Sequence, residues 1–149
     1  MGGVMAPTSN TELAREFWSL WRHDGLAELL SRYDEFFTDD LVWRSPIAEM
    51  RGKAYIGRAG LERHLADLAE TFDEIRATPV EIVEIAPQVV RSRMRILGKG
   101  SASGVTVDAP FLGLARLRDA RICWAWGSFD LEEGERLAAA IARGEDIEV

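Results

Sequence analysis

The chain has 149 residues, of which 47% are hydrophobic, so it is long enough to fold as one domain around one core. Its formal net charge of −7 argues against binding to nucleic acid, whose backbone requires clustered lysine and arginine. One cysteine excludes an internal disulfide, and two histidines do not favour a zinc or haem site. We find no signal peptide and no apolar run approaching the roughly 20 residues of a membrane helix, so we expect a cytoplasmic protein.

Two helices open the predicted fold. Residues 1–8 are expected to form a flexible tail. Ser9 and Glu12 then make an S-x-x-E capping box, in which the two side chains satisfy backbone N–H groups of a first helical turn. Apolar residues recur at helical spacing after it, and Gly25 separates this helix from a second, short one that ends near Tyr33.

A strand, a loop and a third helix come next. The sequence LVWRSP, residues 41–46, predicts a short strand that stops at its proline. Residues 47–60 contain three glycines and predict a loop. A leucine stripe at helical spacing then predicts a helix over about residues 60–72.

The second half of the chain is mostly extended. Four long segments, separated by turn signals, predict strands over residues 74–86, 88–100, 104–119 and 120–130. A D-x-x-E capping box at Asp130 then opens a last helix, and residues 144–149 are expected to be a flexible tail. This order predicts an α+β fold: a cone-shaped, curved, mixed or antiparallel sheet with N-terminal helices packed on its concave face. Such a sheet leaves a cavity between sheet and helices, where a small ligand binds.

Several stretches, taken in order over roughly residues 11–140, resemble the SnoaL-like branch of the nuclear transport factor 2-like superfamily. They are DGLAELL, LVWRSP, YIGRAGLERHLADLAETFDEIR, GKGSASGVTVDAPF, LARLRDARI and SFDLEEGERLA. The resemblance implies a single SnoaL-like domain over residues 1–149, with the cone-like fold and often a homodimer. The superfamily includes ketosteroid isomerases, limonene epoxide hydrolases, polyketide cyclases and members without known activity, so the fold alone does not give the function.

The known chemistries of these relatives can be compared with this chain position by position. Where ketosteroid isomerases have a general-base aspartate, an oxyanion-hole tyrosine and a second acidic donor, this chain has Ser45, Phe17 and Gly113. Where limonene epoxide hydrolases carry a further aspartate, it has Gly127. The resemblance therefore implies neither mechanism. Polyketide cyclases use an aspartate as a base near the end of the last strand, and Asp130 could match it.

Three residues are candidates for acid–base catalysis. His64 lies beside the leucine stripe of the third helix and has an ordinary pKa near neutrality, although a surface or boundary position is the alternative. Asp130 is a candidate base, but its role as a helix cap explains it without catalysis. Asp108 is the third candidate, and it faces outward in the strand register that we favour.

The resemblance also places small residues of the last two strands toward the cavity. Gly113, Cys123, Ala125 and Gly127 would leave room for a ligand, unless helix side chains fill the space. Cys123 has no base or cation nearby in the sequence, so we expect an inert thiol. The other residues expected to contact a ligand are Phe17, Trp43, Ser45, Tyr55, Met94 and Phe111.

The opposite face of these strands would be strongly apolar. By alternation, Leu112, Leu114, Trp124 and Trp126 point outward, and burying each is worth roughly 1.5–3 kcal/mol. An apolar patch of this kind is typical of an interface, so the sequence predicts a homodimer that packs sheet to sheet. A one-residue bulge near Asp108 or Gly127 would reverse the alternation.

The sequence thus predicts a protein that binds an apolar, ring-containing small molecule and needs no cofactor, metal, nucleic acid or membrane. The leading interpretation is a cofactor-independent acid–base enzyme, such as an isomerase, cyclase, dehydratase or hydrolase. The alternative is a non-catalytic ligand-binding or dimerisation module. Two ionisable groups with shifted pKa values in the cavity would favour the enzyme, and one or none would favour the module.

Overall fold

The structure, a computed structural model, describes residues 9–102 and 104–145. The predicted N-terminal tail, residues 1–8, lies outside the described residues. Residues 146–149 of the predicted C-terminal tail also lie outside them. The described helices are α1 (Asn10–Ser19), α2 (Leu26–Ser31), α3 (Tyr33–Phe36), α4 (Pro46–Arg51), α5 (Gly57–Thr71) and α6 (Leu131–Ala142). The described strands are β1 (Phe37–Arg44), β2 (Tyr55–Ile56), β3 (Phe72–Ala86), β4 (Val89–Gly100), β5 (Thr106–Arg118) and β6 (Arg121–Ser128).

The strands form one curved, unclosed, six-stranded sheet in the order β2-β1-β6-β5-β4-β3. β1 and β6 run parallel, and every other neighbouring pair is antiparallel. On the concave face, Leu13 and Phe17 of α1 and Leu61 of α5 pack into one core with the inward residues of the strands. The predicted α+β fold is thereby confirmed. Among the described helices, none is long and apolar enough to cross a membrane.

Side-chain caps fix where the helices begin. The Ser9 side chain accepts a hydrogen bond from the Glu12 N–H at 3.1 Å, and Asp130 accepts one from the Glu133 N–H at 3.0 Å. Both capping boxes therefore start helices, as predicted. A third cap, in which the Ala48 N–H donates to Ser45, opens α4 inside the predicted loop. The loop prediction was wrong there because proline suits the first position of a capped helix.

The C-terminal helix α6 covers the convex face of the sheet. Its Ala138 and Ile141 pack on Leu112, Leu114 and Trp124, and the two leucines are only 1% and 2% exposed. The prediction that these three outward side chains form an exposed patch is therefore wrong, since the chain buries them with its own helix. Because that patch was the reason for sheet-to-sheet pairing, these side chains cannot form the interface of a homodimer while α6 lies on them.

Two arginines of β4 help to hold α6 in place. Arg91 donates to Glu135 of α6 at 3.3 Å, and Arg93 forms an ion pair with the same carboxylate. Partly exposed ion pairs contribute little each, so the apolar contacts supply most of the stabilisation.

A bulge in β6 changes the predicted alternation. Arg116 pairs with Trp124 and the next residue, Leu117, pairs with Ile122, so Cys123 has no partner opposite it. Ile122 therefore faces the concave core, while Cys123 and Trp124 both pack into the outer cluster. The prediction that Cys123 faces the cavity is wrong for this reason. Burial raises the pKa of its thiol, in keeping with an inert cysteine.

The contact between α6 and the sheet can be tested by truncating a buried side chain near the end of this helix. Ile141→Ala should lower the free energy of unfolding by about 2–5 kcal/mol, because it opens a cavity in the outer cluster. Leu131→Ala removes a side chain that is 38% exposed on the same helix, and should cost less than about 1 kcal/mol. Urea denaturation followed by circular dichroism measures both. Equal losses would mean that α6 does not seal the convex face.

Candidate functional site

A cavity of about 260 Å³ lies between the concave face of the sheet and the helices α1, α4 and α5. An engineered apolar cavity of about 150 Å³ is known to bind benzene, so this one has room for a larger ring compound. The cavity exists because the helices cannot follow the full curvature of the sheet. Its volume lies just below the ~300–1,000 Å³ of ordinary ligand pockets.

Several tryptophan and phenylalanine side chains line the cavity. Trp21 stacks on Trp43 with ring centroids 5.3 Å apart, and Phe17 meets Trp18 edge to face at 4.6 Å. The aromatic residues of the wall include Phe17, Trp18, Trp21, Trp43, Phe111 and Phe129. Flat rings that pack on one another hold their positions, so the wall is a rigid surface for a flat, apolar ligand.

Paired glycines on the two central strands make room for two of these rings. Gly113 of β5 lies opposite Gly127 of β6, and both line the cavity. A Cβ at Gly127 would lie 2.5 Å from Cζ of Phe111, and one at Gly113 would lie 3.2 Å from Cζ2 of Trp18. The sequence left two alternatives, a cavity kept open by small residues and a space filled by other side chains, and each is partly correct. Gly113, Ala125 and Gly127 face the cavity, Cys123 does not, and neighbouring rings occupy some of the space above the two glycines.

His64 is the ionisable residue buried most deeply in the wall. It lies on α5, is 2% exposed, and its Nε2 is 3.0 Å from Oγ of Ser45. Burial lowers the pKa of His64 from 6.5 to about 4, although the charge of Asp67 opposes part of this shift. At neutral pH the imidazole is therefore uncharged.

Ser45 connects three elements at this point. It follows the last residue of β1, caps α4 by accepting from the Ala48 N–H at 3.2 Å, and contacts His64 on α5. The same α4 places Pro46, Ile47 and Met50 in the cavity wall. One hydroxyl thus fixes the imidazole and the helix that borders the cavity.

A second group of polar residues supports His64 from the side away from the cavity. The Tyr55 ring lies edge to face on the imidazole at 4.9 Å, and its hydroxyl donates to Oδ2 of Asp67 at 2.7 Å. Arg51 donates to the same oxygen at 2.7 Å. These bonds, first of all that from Tyr55, lower the pKa of Asp67. Tyr55 does not line the cavity, so the prediction that it contacts the ligand is replaced by a supporting position behind His64.

Three residues of the wall have a buried nitrogen atom without a hydrogen-bond partner within the described part of the chain. The atoms are Nε1 of Trp43, Nε of Arg44 and Nδ1 of His64, and the rings of Trp43 and His64 lie 5.4 Å apart. Leaving a buried polar group unpaired costs about 1–3 kcal/mol, and such groups in native proteins call for an explanation.

The structure brings together some of the residues chosen from the sequence and separates others. Those that line the cavity are Phe17, Trp43, Ser45, His64, Phe111, Gly113 and Gly127. Met94 is buried in the concave core without lining the cavity, and Cys123 lies in the outer cluster. Asp108 is exposed and bonded to Arg95 at 2.9 Å, and Asp130 is the exposed cap of α6. Neither carboxylate reaches the cavity.

Sequence reasoning missed several residues of the wall. Trp18 and Trp21 were considered only as helix side chains that could fill the space, and the structure places both in the cavity wall. Trp126 was predicted to face a partner chain. It is half-buried, packs against the outer cluster and also contributes to the cavity wall.

Comparison with known proteins agrees with this fold. A family model described as a SnoaL-like domain matches residues 14–125. Among curated proteins, no sequence matches the chain significantly.

Solved structures share the fold at low sequence identity. TerC, crystallised with polyporic acid, is 20% identical with a TM-score of 0.68, over 87% of this chain and 98% of TerC. A proposed SnoaL-like polyketide cyclase from Jannaschia sp. CCS1 is 18% identical with a TM-score of 0.69, over 94% of this chain and 98% of its own. A protein with a ketosteroid isomerase-like fold from Catenulispora acidiphila DSM 44928 was crystallised in complex with trimethylamine. It is 15% identical with a TM-score of 0.67, over 89% of this chain and 95% of its own. At these identities the likeness shows the fold alone.

The burial of His64 predicts a specific dependence of stability on pH. The unfolded chain binds a proton at its ordinary pKa of 6.5, whereas the folded protein resists protonation until about pH 4. Stability therefore declines as the pH falls through this window, by about 3 kcal/mol for this group.

Urea unfolding at several pH values tests this dependence. The wild-type protein should lose more stability between pH 6.5 and 4 than His64→Gln does. His23→Gln changes the exposed histidine and should keep the wild-type slope. Identical slopes for all three proteins would mean that His64 is not buried as a neutral group.

Proposed function

Because the chain belongs to the SnoaL-like family and encloses an aromatic cavity, we propose that it binds an apolar, ring-containing small molecule there. The observation that carries the proposal is the cavity of about 260 Å³, whose wall is mostly apolar and includes several tryptophan and phenylalanine rings. Binding of a ring compound would remove water from the apolar surfaces of the ligand and of the cavity wall. The ring would also stack on flat side chains. The fold is that of polyketide cyclase-like proteins, and a fold alone does not give the ligand.

The charged groups of the cavity favour binding over catalysis. Of the described residues that line it, Arg44 and His64 are the ionisable ones, and burial lowers the pKa of His64. None of these lining residues carries a carboxylate. Two convergent groups would be needed to remove a proton at one atom and deliver one at another, so a single group supports the binding module better.

One observation supports catalysis as a second candidate. His64 is an uncharged imidazole held by Ser45 in the wall, which is the arrangement of a general base. A base with a pKa of about 4 is weak, so it suits only a carbon acid activated by an adjacent carbonyl. A substrate of this class would lose a proton to His64 and regain it elsewhere, which is an isomerisation or the first step of a cyclisation.

Binding can be measured with a panel of ring compounds that includes naphthalene derivatives, steroids and polyporic acid. At least one compound should raise the melting temperature of the wild-type protein, because a ligand that binds only the folded state stabilises it. Ala125→Leu adds bulk to the cavity wall and should abolish this shift. Ala139→Leu makes the same change on the exposed side of α6 and should leave it intact.

The outcome of this panel decides the proposal. Differential scanning fluorimetry finds the compounds, and titration calorimetry confirms binding with one molecule per chain. A shift that survives Ala125→Leu would place the ligand outside the cavity. No shift with any compound would remove the support for a ligand-binding cavity.

Catalysis can be tested separately by proton exchange. If His64 is a base, the wild-type protein should speed the exchange of the activated C1 hydrogens of 2-tetralone for deuterium in D₂O, followed by NMR. His64→Gln should reduce the enzymatic rate at least about a hundredfold, the lower end of the ~10²–10⁴ that a general base contributes. Binding without any acceleration of exchange would exclude the enzyme and leave the binding module.

Two other expectations from the sequence belong with this proposal. A homodimer stays a prediction, and its interface must lie away from the three side chains that α6 covers. Sedimentation velocity at micromolar concentration measures the mass directly. A cytoplasmic location also stays a prediction, which fractionation of cells would test.

A further inference from the structure

The opening of the cavity to solvent lies beside the short helix α4. Of the described residues that line the cavity, the exposed ones are Met50 on α4, Thr71 at the end of α5 and Phe129 in the turn before α6. Met50 is 85% exposed and Phe129 43%, although both border the same apolar space. A ligand therefore reaches the cavity between these three elements.

Packing holds two sides of this opening in place. Phe129 meets the buried ring of Phe111 edge to face, with ring centroids 4.8 Å apart. Thr71 is the last residue of a helix of 15 residues that buries three leucines in the core. Because interiors are close-packed, neither side can move outward without disturbing the core to which it is attached.

The third side of the opening, α4, is packed much less firmly. Of the six residues of α4, all of which the structure describes, only Ala48 is buried. The helix runs from its cap at Ser45 to Gly52, where φ is +75°. A Cβ at Gly52 would meet no atom within 4 Å, so the chain is not packed at this end. Residues at the two ends of such an element can serve as its hinges.

One side chain ties the exposed end of α4 to α5. Arg51, next to Met50, donates from Nη1 to Oδ2 of Asp67 at 2.7 Å, and its guanidinium lies 5.1 Å from the centre of the Tyr55 ring. The exposed fractions of the two paired side chains are 34% for Arg51 and 14% for Asp67. An ion pair that is partly open to water contributes little to stability, so this contact can break without unfolding of the protein.

We propose that α4 is a lid over the cavity and that the ion pair between Arg51 and Asp67 is its latch. The lid opens by turning about Ser45 and Gly52, so that Met50 moves away from the opening and a ring compound enters or leaves. The inference rests on the proposed function, because it assigns the route by which the ligand of that cavity exchanges. Arg51 does not line the cavity, so it controls the rate of exchange without contacting the ligand.

A thiol placed inside the cavity reports the opening of the lid without any ligand. Ser92 lines the cavity and is 4% exposed, so Ser92→Cys combined with Cys123→Ala puts the one thiol of the chain behind the lid. Methyl methanethiosulfonate should modify this thiol at a rate proportional to the open fraction. Arg51→Met should raise that rate about two- to fivefold, the change in an equilibrium that loss of a partly exposed ion pair produces.

The matched control is Arg63→Met. Arg63 pairs with the same carboxylate, its Nε lying 3.6 Å or less from Oδ1 of Asp67 at 3.4 Å, but it belongs to α5 and not to α4. Removing Arg63 takes an equal charge from Asp67 and leaves α4 tied, so the labelling rate should not change.

Salt tests the latch without a substitution at Arg51. Raising NaCl from about 0.05 M to about 0.5 M screens the ion pair, so it should speed labelling of the protein that retains Arg51. Labelling of Arg51→Met should not respond to salt. This comparison also applies if Arg51→Met folds poorly, because the protein with Arg51 shows the response by itself.

Binding kinetics test the lid with a ligand. 2-Naphthol, mixed with the protein in a stopped-flow experiment, should quench the fluorescence of the tryptophans in the wall. Arg51→Met should raise the association and dissociation rates of 2-naphthol by the same factor of about two to five, and should change its dissociation constant less than about twofold. A residue that only shaped the cavity would change the dissociation constant instead.

Each result supports or overturns the lid. Equal labelling rates in all three proteins, with no response to salt, would overturn it. Faster labelling in Arg63→Met as well would overturn it too, since the charge around Asp67 and not the release of α4 would then control access. If 2-naphthol does not bind, the labelling rates decide the lid and the wider panel decides the proposed function, so the two failures are distinguishable.

Discussion

Curvature of the sheet is the constraint on which the other features of this protein depend. A curved six-stranded sheet has two apolar faces, and the chain covers them by different means. On the convex side one amphipathic helix, α6, packs closely on the strands. On the concave side straight helices bridge the hollow without filling it, and the aromatic side chains of α1 reach across the gap. The cavity is therefore a consequence of the fold.

The chemistry of the cavity is set at the ends of elements. Ser45 lies between β1 and α4, and it contacts His64 from the facing helix. Because its hydroxyl both caps α4 and holds the imidazole, a shift of the helix would also move the histidine. Tyr55 and Asp67 support the same ring from behind. A buried polar group held from several sides keeps its geometry, as ligand recognition requires.

Much of the fold was predictable because its signals are local. Two capping boxes and the helical spacing of leucines located α1, α5 and α6, and turn residues separated the long strands. The bulge at Cys123 was not predictable, because a register shift depends on which residue of the neighbouring strand it meets. The burial of His64 had no local signal either. It depends on Ser45 and Tyr55, which lie 19 and 9 positions earlier in the chain.

Four residues that the sequence analysis set beside catalytic groups of other enzymes also explain why this cavity is apolar. Phe17, Ser45, Gly113 and Gly127 line it where related enzymes carry acidic groups or tyrosine, and the two glycines admit the rings of Trp18 and Phe111. Other aromatic rings pack around His64, and its burial there keeps the imidazole uncharged at neutral pH. The described wall is therefore mostly apolar and holds no carboxylate, and the proposed binding of an apolar ring compound depends on this property.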